Sequence, residues 1–314
     1  MAWEILFSEA FIIALLSAGV RLATPILLTS LGEIFTQRSG ILNLGLEGMM
    51  LIGCFSTFLV AYYTNNVLLA LLAGALAGAV IAFVHAVVCI SARANQTVSG
   101  IALNFVALGL AGFFFRLRLG IQLTPPTVEG LDTLKIPLLG DIPFIGPILF
   151  DQNVIVYFTF ILVPIYWWFL FKTTYGLKIK AVGENPKAAD TLGINVFRVR
   201  YACVIFGGLM AGLGGASLAL GQRGQTFMEY MVAGRGWMAL VLVMFSKWNP
   251  ARALAGALLF GITDALQLRV QALDIGIPYH FLLMLPYAVT LIVLIGVSRK
   301  AERPAAMGVP YKRE

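Results

Sequence analysis

Residues Val67–Ile90, VLLALLAGALAGAVIAFVHAVVCI, decide the fold. Over these 24 residues the chain places no Asp, Glu, Lys or Arg. A helix crosses the hydrocarbon core of a bilayer with about 20 consecutive apolar residues. A helix apolar all round has no face to offer water, so this run reads as a membrane span. Similar runs flank it at Ala10–Leu31, Ile41–Tyr63, Ile101–Phe115, Val154–Phe171, Tyr201–Leu220, Thr226–Phe245, Ala251–Leu268 and Tyr279–Val297. The expectation is an all-α fold: a polytopic membrane helix bundle of about nine spans (8–10). The second and seventh are broken by glycine and polar residues, and the fourth is short.

Composition agrees. Hydrophobic residues make up 60% of the 314, charged residues 12%, and the mean hydropathy is +0.89. A soluble domain carries roughly 25% charged residues to solvate its surface. Half that share excludes a water-soluble protein of this size. The net charge of +7 therefore reads as Lys and Arg retained on one side of a membrane, and no nucleic-acid partner is expected. Cys54, Cys89 and Cys203 are scattered through apolar stretches and read as small buried hydrophobes rather than disulfide or metal ligands. The first thirty residues lack the basic start, short apolar core and small-residue cleavage site of a removable signal peptide.

Basic residues set the expected orientation. With the 172–200 loop and the 298–314 tail inside, 15 Lys and Arg lie in the cytoplasm and 5 outside, namely Arg116, Arg118, Lys135, Arg223 and Arg269. The positive-inside rule then puts the N-terminus, with Glu4 and Glu9, outside and the C-terminus in the cytoplasm. One transmembrane domain fills residues 1–314, with a proline-rich, ordered external loop at 120–153 and a cytoplasmic loop at 172–200. Gly74 with Gly78, and Gly208 with Gly212, have the four-residue spacing that lets apolar helices approach closely.

Polar residues inside the apolar stretches carry the functional signal. GEIFTQRSGILNLGLEG, Gly32–Gly48, combines four glycines with Asn43 and Glu47. Gly221–Gly236 combines four more with Gln225, Glu229 and Arg235. Glycine-interrupted hydrophobic segments in both halves of a chain point to a transport pathway near the midplane. A carboxylate at the centre of a lone helix costs roughly 3 kcal/mol to insert, so Glu47 should not face lipid. It either pairs with a cation such as Arg21 or lines the pathway with Asn43. His85 and His280 stand alone, and no spacing suggests a metal site. No nucleophile elbow or H-E-x-x-H motif supports an enzyme. No Gly-Lys dipeptide exists, so a P-loop of the G-x-x-x-x-G-K-[ST] kind is absent and any ATPase must be another subunit.

The cytoplasmic loop reads AVGENPKAADTLGIN from Ala181 to Asn195. Asn185 is a good N-cap, Pro186 suits the first helical position, and Gly193 suits the left-handed residue after the last turn. A helix of about two turns follows, too short to be stable alone in water. It needs a surface to hold it, either its own bundle or a partner.

This loop resembles the coupling helix of bacterial ABC importer permeases in the branched-chain amino acid, ribose and nucleoside group. Gly32–Gly48 is similar to that group's broken second helix. ANQTVSGIALN, Ala94–Asn104, is similar to the start of a core helix. GRGWMALVLVMFSKWNPARALAGALLFG, Gly234–Gly261, is similar to its signature in the second half. The wording comes nearest to the shorter permease of nucleoside importers. The resemblance implies a permease forming half of a nucleoside pathway in the bacterial cytoplasmic (inner) membrane. It implies a second, different permease subunit, an ATP-binding subunit carrying ATP and Mg, and a substrate-binding lipoprotein, with no cofactor on this chain. Glu184, Asn185, Pro186, Lys187, Ala188, Ala189 and Asp190 would sit in the ATPase groove. Asn43, Glu47, Gln96 and Asn104 would lie near the translocation path. Sugar members are often drawn with ten helices, against nine here. The alternatives are a ribose-type sugar permease and an ion-coupled secondary transporter titrating Glu47, Asp264 or His85.

Overall fold

The computed structural model describes residues 8–120, 126–221, 226–272, 278–297 and 303–313. Glu4, Arg223, Gln225 and residues 298–302 of the tail lie outside the described residues. The helices are α1 (Glu9–Arg38), α2 (Leu46–Thr64), α3 (Val67–Ala86), α4 (Gln96–Leu119), α5 (Val154–Lys172), α6 (Thr174–Glu184), α7 (Pro186–Thr191), α8 (Val196–Leu220), α9 (Arg235–Phe245), α10 (Pro250–Ala272) and α11 (Tyr279–Val297). A π-helical turn, Val87–Ser91, prolongs α3. Among the described residues seven helices are long and apolar enough to cross a membrane: α1, α2, α3 with its extension, α4, α5, α8 and α10. The other two of the nine expected spans are α9, too short at 11 residues, and α11, of which His280–Val289 is the apolar stretch described in full.

Three boundaries differ from the sequence expectation. Hydropathy ends the first span at Leu31, but α1 continues to Arg38 because Glu33 and Gln37 are buried against each other rather than exposed to lipid. The fourth span is 24 residues rather than short, since Asn95 accepts from the amides of Thr97 and Val98 and so starts a helix through polar QTVSG. The glycine-rich stretches do not break helices internally. Residues 39–45 form a turn and an extended loop before α2, and the described residues 226–234 form loop and turns before α9.

α8 is the most enclosed span and packs against α1, α2 and α3. Its glycines face those of α3. A Cβ on Gly78 would stand 2.7 Å from Gly212 Cα, and one on Gly212 would press on the Gly74 carbonyl. Both glycine pairs singled out by spacing therefore form one seam in which backbone meets backbone. The core follows from this arrangement: Ile26, Leu27, Leu31, Met210 and Leu242 on one side of α8, and Met49, Cys54, Phe58 and Ala82 on the other.

The 120–153 segment is ordered where described. Strand β1 (Thr133–Lys135) pairs antiparallel with β2 (Asp151–Asn153), a small addition to the expected all-α fold. Gln152 Nε2 ties it to α1, donating to Ser17 Oγ at 3.0 Å. At the far end of α1 the Gly40 carbonyl accepts from Gly308 of the tail, and Ala306 binds Gly183 beside α7. Ser17 lies 21 residues before the end of α1 at Arg38, roughly 32 Å at 1.5 Å per residue and close to one hydrocarbon thickness of about 30 Å. The hairpin and the 172–200 loop thus occupy opposite ends of the bundle, and the tail shares the loop's end.

Candidate functional site

The first four amides of a helix have no partner inside it. α2 starts at Gly45, which offers no side chain to cap it. Asn104 of α4 supplies the acceptor instead: its Oδ1 takes the Gly48 amide at 2.8 Å, and its Nδ2 donates to the Leu44 carbonyl at 2.7 Å. One residue type with both donor and acceptor satisfies both ends of the loop. Gln96 Oε1 accepts from the Leu42 amide at 2.7 Å. The loop 41–45 is therefore laced to α4, and Gly100 admits it, since a Cβ there would stand 2.8 Å from the Leu44 nitrogen.

α9 is capped in the same manner from another element. Gly234, left-handed at φ +84°, is its N-cap and carries no side chain. Glu47 provides the acceptors, Oε1 taking the Gly234 amide and Oε2 the Gly236 amide, each at 2.8 Å. A carboxylate at a helix N-terminus is favoured by the macrodipole as well as by its bonds. Gly236 lets the two backbones meet, because a Cβ would lie 2.5 Å from the Glu47 nitrogen. Glu47 thus takes backbone amides rather than Arg21. Arg235 pairs with Asp264 at 3.3 Å, and Glu229 with Arg116 at 2.7 Å.

Of the four residues expected near a path, two border a cavity and two are buried. Glu47 and Asn104 join Leu51, Phe105, Tyr230 and Trp237 around a space of about 240 Å³. Phe105 and Tyr230 are largely exposed there. Asn43 is fully buried, its Oδ1 accepting from Gly45 at 2.9 Å as a turn residue. Gln96 is buried at the base of α4. His85 is also buried, within hydrogen-bonding distance of Ser99 Oγ (3.0 Å) and the Leu42 carbonyl (3.3 Å). Among the described residues no three His, Cys, Asp or Glu side chains gather as a metal site.

A second polar cluster escaped the sequence reading. Glu33, with no exposed surface, accepts from Gln37 Nε2 at 3.0 Å. Gln37 Oε1 accepts from Trp248 Nε1 at 2.8 Å. Lys247 and Trp248 both adopt positive φ (52° and 57°) in the turn between α9 and α10, a costly backbone for bulky residues. The indole bond and the Arg38 guanidinium, 5.8 Å over the ring, hold that turn to the end of α1. The Glu33 and Gln37 spacing of four along a helix was the available signal.

The 172–200 loop folds as its residues dictate. Asn185 Oδ1 accepts from Ala188 at 3.0 Å, Pro186 opens α7, and Gly193 is left-handed at φ +80°. Glu184, Asn185, Lys187 and Ala188 are exposed, whereas Ala189 is buried and Asp190 half-buried. Leu192, just after the helix, is 80% exposed. Nearby, burial and the Arg38 charge hold the Lys180 ammonium below its ordinary pKa.

A buried carboxylate caps another helix, an aromatic-edged cavity lies beside it, and an exposed capped helix stands at one end of the bundle. The family of branched-chain amino acid transport system permease components matches residues 15–297. The chain belongs to this family. As a permease it is 43% identical to the guanosine ABC transporter permease protein NupQ of Bacillus subtilis, over 92% of this chain and 93% of that one. It is 41% identical to the nucleoside ABC transporter permease protein NupC of Lactococcus lactis, over 92% and 93%. It is 42% identical to a putative glucose ABC transporter permease protein, TsgC13, of Haloferax volcanii, over 85% and 81%. The same Bacillus and Lactococcus strains each hold a second, more distant match to this permease, NupP and NupB, at 23% and 24% identity. No solved structure matches the chain.

Proposed function

We propose that the chain is one of two different permease subunits of an ATP-driven nucleoside importer, supplying half of the translocation pathway. The observation that carries the reading is the cavity between α2, α4 and α9. Phe105, Tyr230 and Trp237 offer aromatic faces there, and Asn104, Glu47 and the Tyr230 hydroxyl offer polar groups. Stacking a base on an aromatic ring is worth about 1–3 kcal/mol, and dispersed polar groups suit ribose hydroxyls without holding them so tightly that release fails. The permease names for guanosine and nucleosides among its relatives support the same substrate class.

In this reading Glu47 and Asn104 border the path, while Asn43 and Gln96 hold the loop that frames it. Glu184–Asp190 is the coupling helix that docks on the ATP-binding subunit, which carries ATP and Mg. A lipoprotein delivers the substrate. The pairing of NupQ with NupP, and of NupC with NupB, in single strains supports a second, different permease. The chain lies in a bacterial inner membrane with residues 120–153 outside and the coupling loop and tail in the cytoplasm. α9 and α11, with their flanking loops, bring the number of passes towards nine.

A sugar importer is the second reading, favoured by the 42% identity to a putative glucose permease. The test is uptake into energised cells carrying the whole importer, with radiolabelled guanosine, adenosine, cytidine, ribose and glucose as the panel. Nucleoside uptake that stops on ATP depletion and survives a protonophore supports the proposal. Uptake of glucose or ribose alone selects the sugar reading. Uptake abolished by the protonophore alone selects an ion-coupled carrier.

A further inference from the structure

We propose that the C-terminal segment 303–313 is a strap tying the coupling helix to the loop beside the cavity, with Tyr311 and Arg313 as positioning residues for transport. The inference rests on the coupling-helix reading of α7 and gives that helix a physical route to the site.

The strap grips α7 through one carboxylate. Tyr311 donates its hydroxyl to Asp190 Oδ2 at 2.9 Å, and Arg313 Nε reaches the same oxygen at 3.0 Å. Charge-assisted bonds of this kind are the stronger ones. The Tyr311 ring is buried, 5.7 Å from Phe197, in an apolar cluster with Val182, Ala189 and Val196. Further along, the amides of Ala305 and Ala306 donate to Glu184 Oε2 (3.2 Å) and the Gly183 carbonyl (2.9 Å). A six-residue helix is marginal by itself, and these bonds hold both of its ends.

The other side of the strap grips the turn that leads to the cavity. The Gly308 amide donates to the Gly40 carbonyl at 3.1 Å. Arg200, 2% exposed, bridges the two: its Nε donates to Ser39 O at 3.2 Å and its Nη1 to Val309 O at 3.4 Å. Gly40 is left-handed at φ +90° and is followed at once by the loop 41–45, in which Gln96 accepts from the Leu42 amide and Asn104 donates to the Leu44 carbonyl, and which ends two residues before Glu47. Displacement of Asp190 therefore pulls on a continuous set of bonds that ends at the Glu47 cap of α9. Beside it, the Gly183 backbone just before α7 packs on Arg38 and Gly40 directly, so the strap adds a hydrogen-bonded route to a packed one.

The test uses the complete importer in proteoliposomes and the radiolabelled panel member that the wild-type complex accumulates. The readout is substrate carried per ATP hydrolysed. Tyr311→Phe combined with Arg313→Gln keeps the ring packing and removes both bonds to Asp190. Residues that connect two sites can shift their coupling severalfold, so the ratio should fall by about fivefold while the ATPase still co-purifies. Asp190→Asn added to the pair should lower the ratio no further. An unchanged ratio, or transport and ATP hydrolysis falling together, overturns the strap. Deletion of Lys187–Asp190 is the control. If that deletion leaves the ratio intact, the coupling-helix reading fails. If it uncouples while the tail variants stay neutral, the strap alone fails.

Discussion

A carboxylate enclosed by membrane helices is tolerable when its oxygens meet fixed donors, and Glu47 meets two. Replacing one oxygen with an amide NH₂ sets donor against donor at Gly234 or Gly236. Leaving a buried group unmatched costs about 1–3 kcal/mol, so Glu47→Gln should lower the thermal midpoint of the purified subunit, and Glu47→Ala should do so further. A Glu47→Gln midpoint equal to wild type would contradict the capping role. Trp248→Phe removes the indole donor from Gln37 Oε1, and with it the pin on a turn of two left-handed residues. The same range of loss is expected, read by thermal unfolding, with Trp167→Phe as an exposed-ring comparison.

Between elements, the glycine seam of α3 and α8 brings backbone against backbone. Gly212→Leu forces side-chain atoms into the Gly74 carbonyl and Ala75. Overpacking typically costs 1–3 kcal/mol and occasionally more, and a backbone seam has no side chain that can move aside. Gel filtration in detergent should show aggregated or missing protein. Gly109→Leu, where nothing lies within 4 Å, should run as a normal peak. The spacing marked both glycine pairs as close-packing positions but not that they meet each other, whereas α7 was legible because Asn185, Pro186 and Gly193 act on their own neighbours. Glu47 was not legible. Its partners lie 187 and 189 residues away, so the sequence left it between a cation and the path. The first span was read short for a related reason: hydropathy counts Glu33 and Gln37 as polar, and only folding brings Trp248 to them. Asn43 and Gln96 were placed with the path by resemblance; both are buried, and their side chains bond the loop 41–45.

For the whole molecule, the separation of the hairpin from the coupling loop along α1 makes a sidedness claim that labelling checks. Leu138 is 86% exposed and Leu192 80%, while Cys54, Cys89 and Cys203 are free but buried. A membrane-impermeant maleimide should therefore label Leu138→Cys in intact spheroplasts and Leu192→Cys only in inside-out vesicles. Labelling of both from one side would contradict the two-ended arrangement. Glycine contacts do not stop at α3 and α8: Gly53 of α2 meets Gly212, and Gly32 of α1 meets Gly207 and Met210 of α8. Backbones in such contact cannot slide by a fraction of a turn without driving carbonyls into one another. The α1–α2–α3–α8 group should therefore tilt as one block when a transporter built on it changes its open side, rather than shear along its own seams.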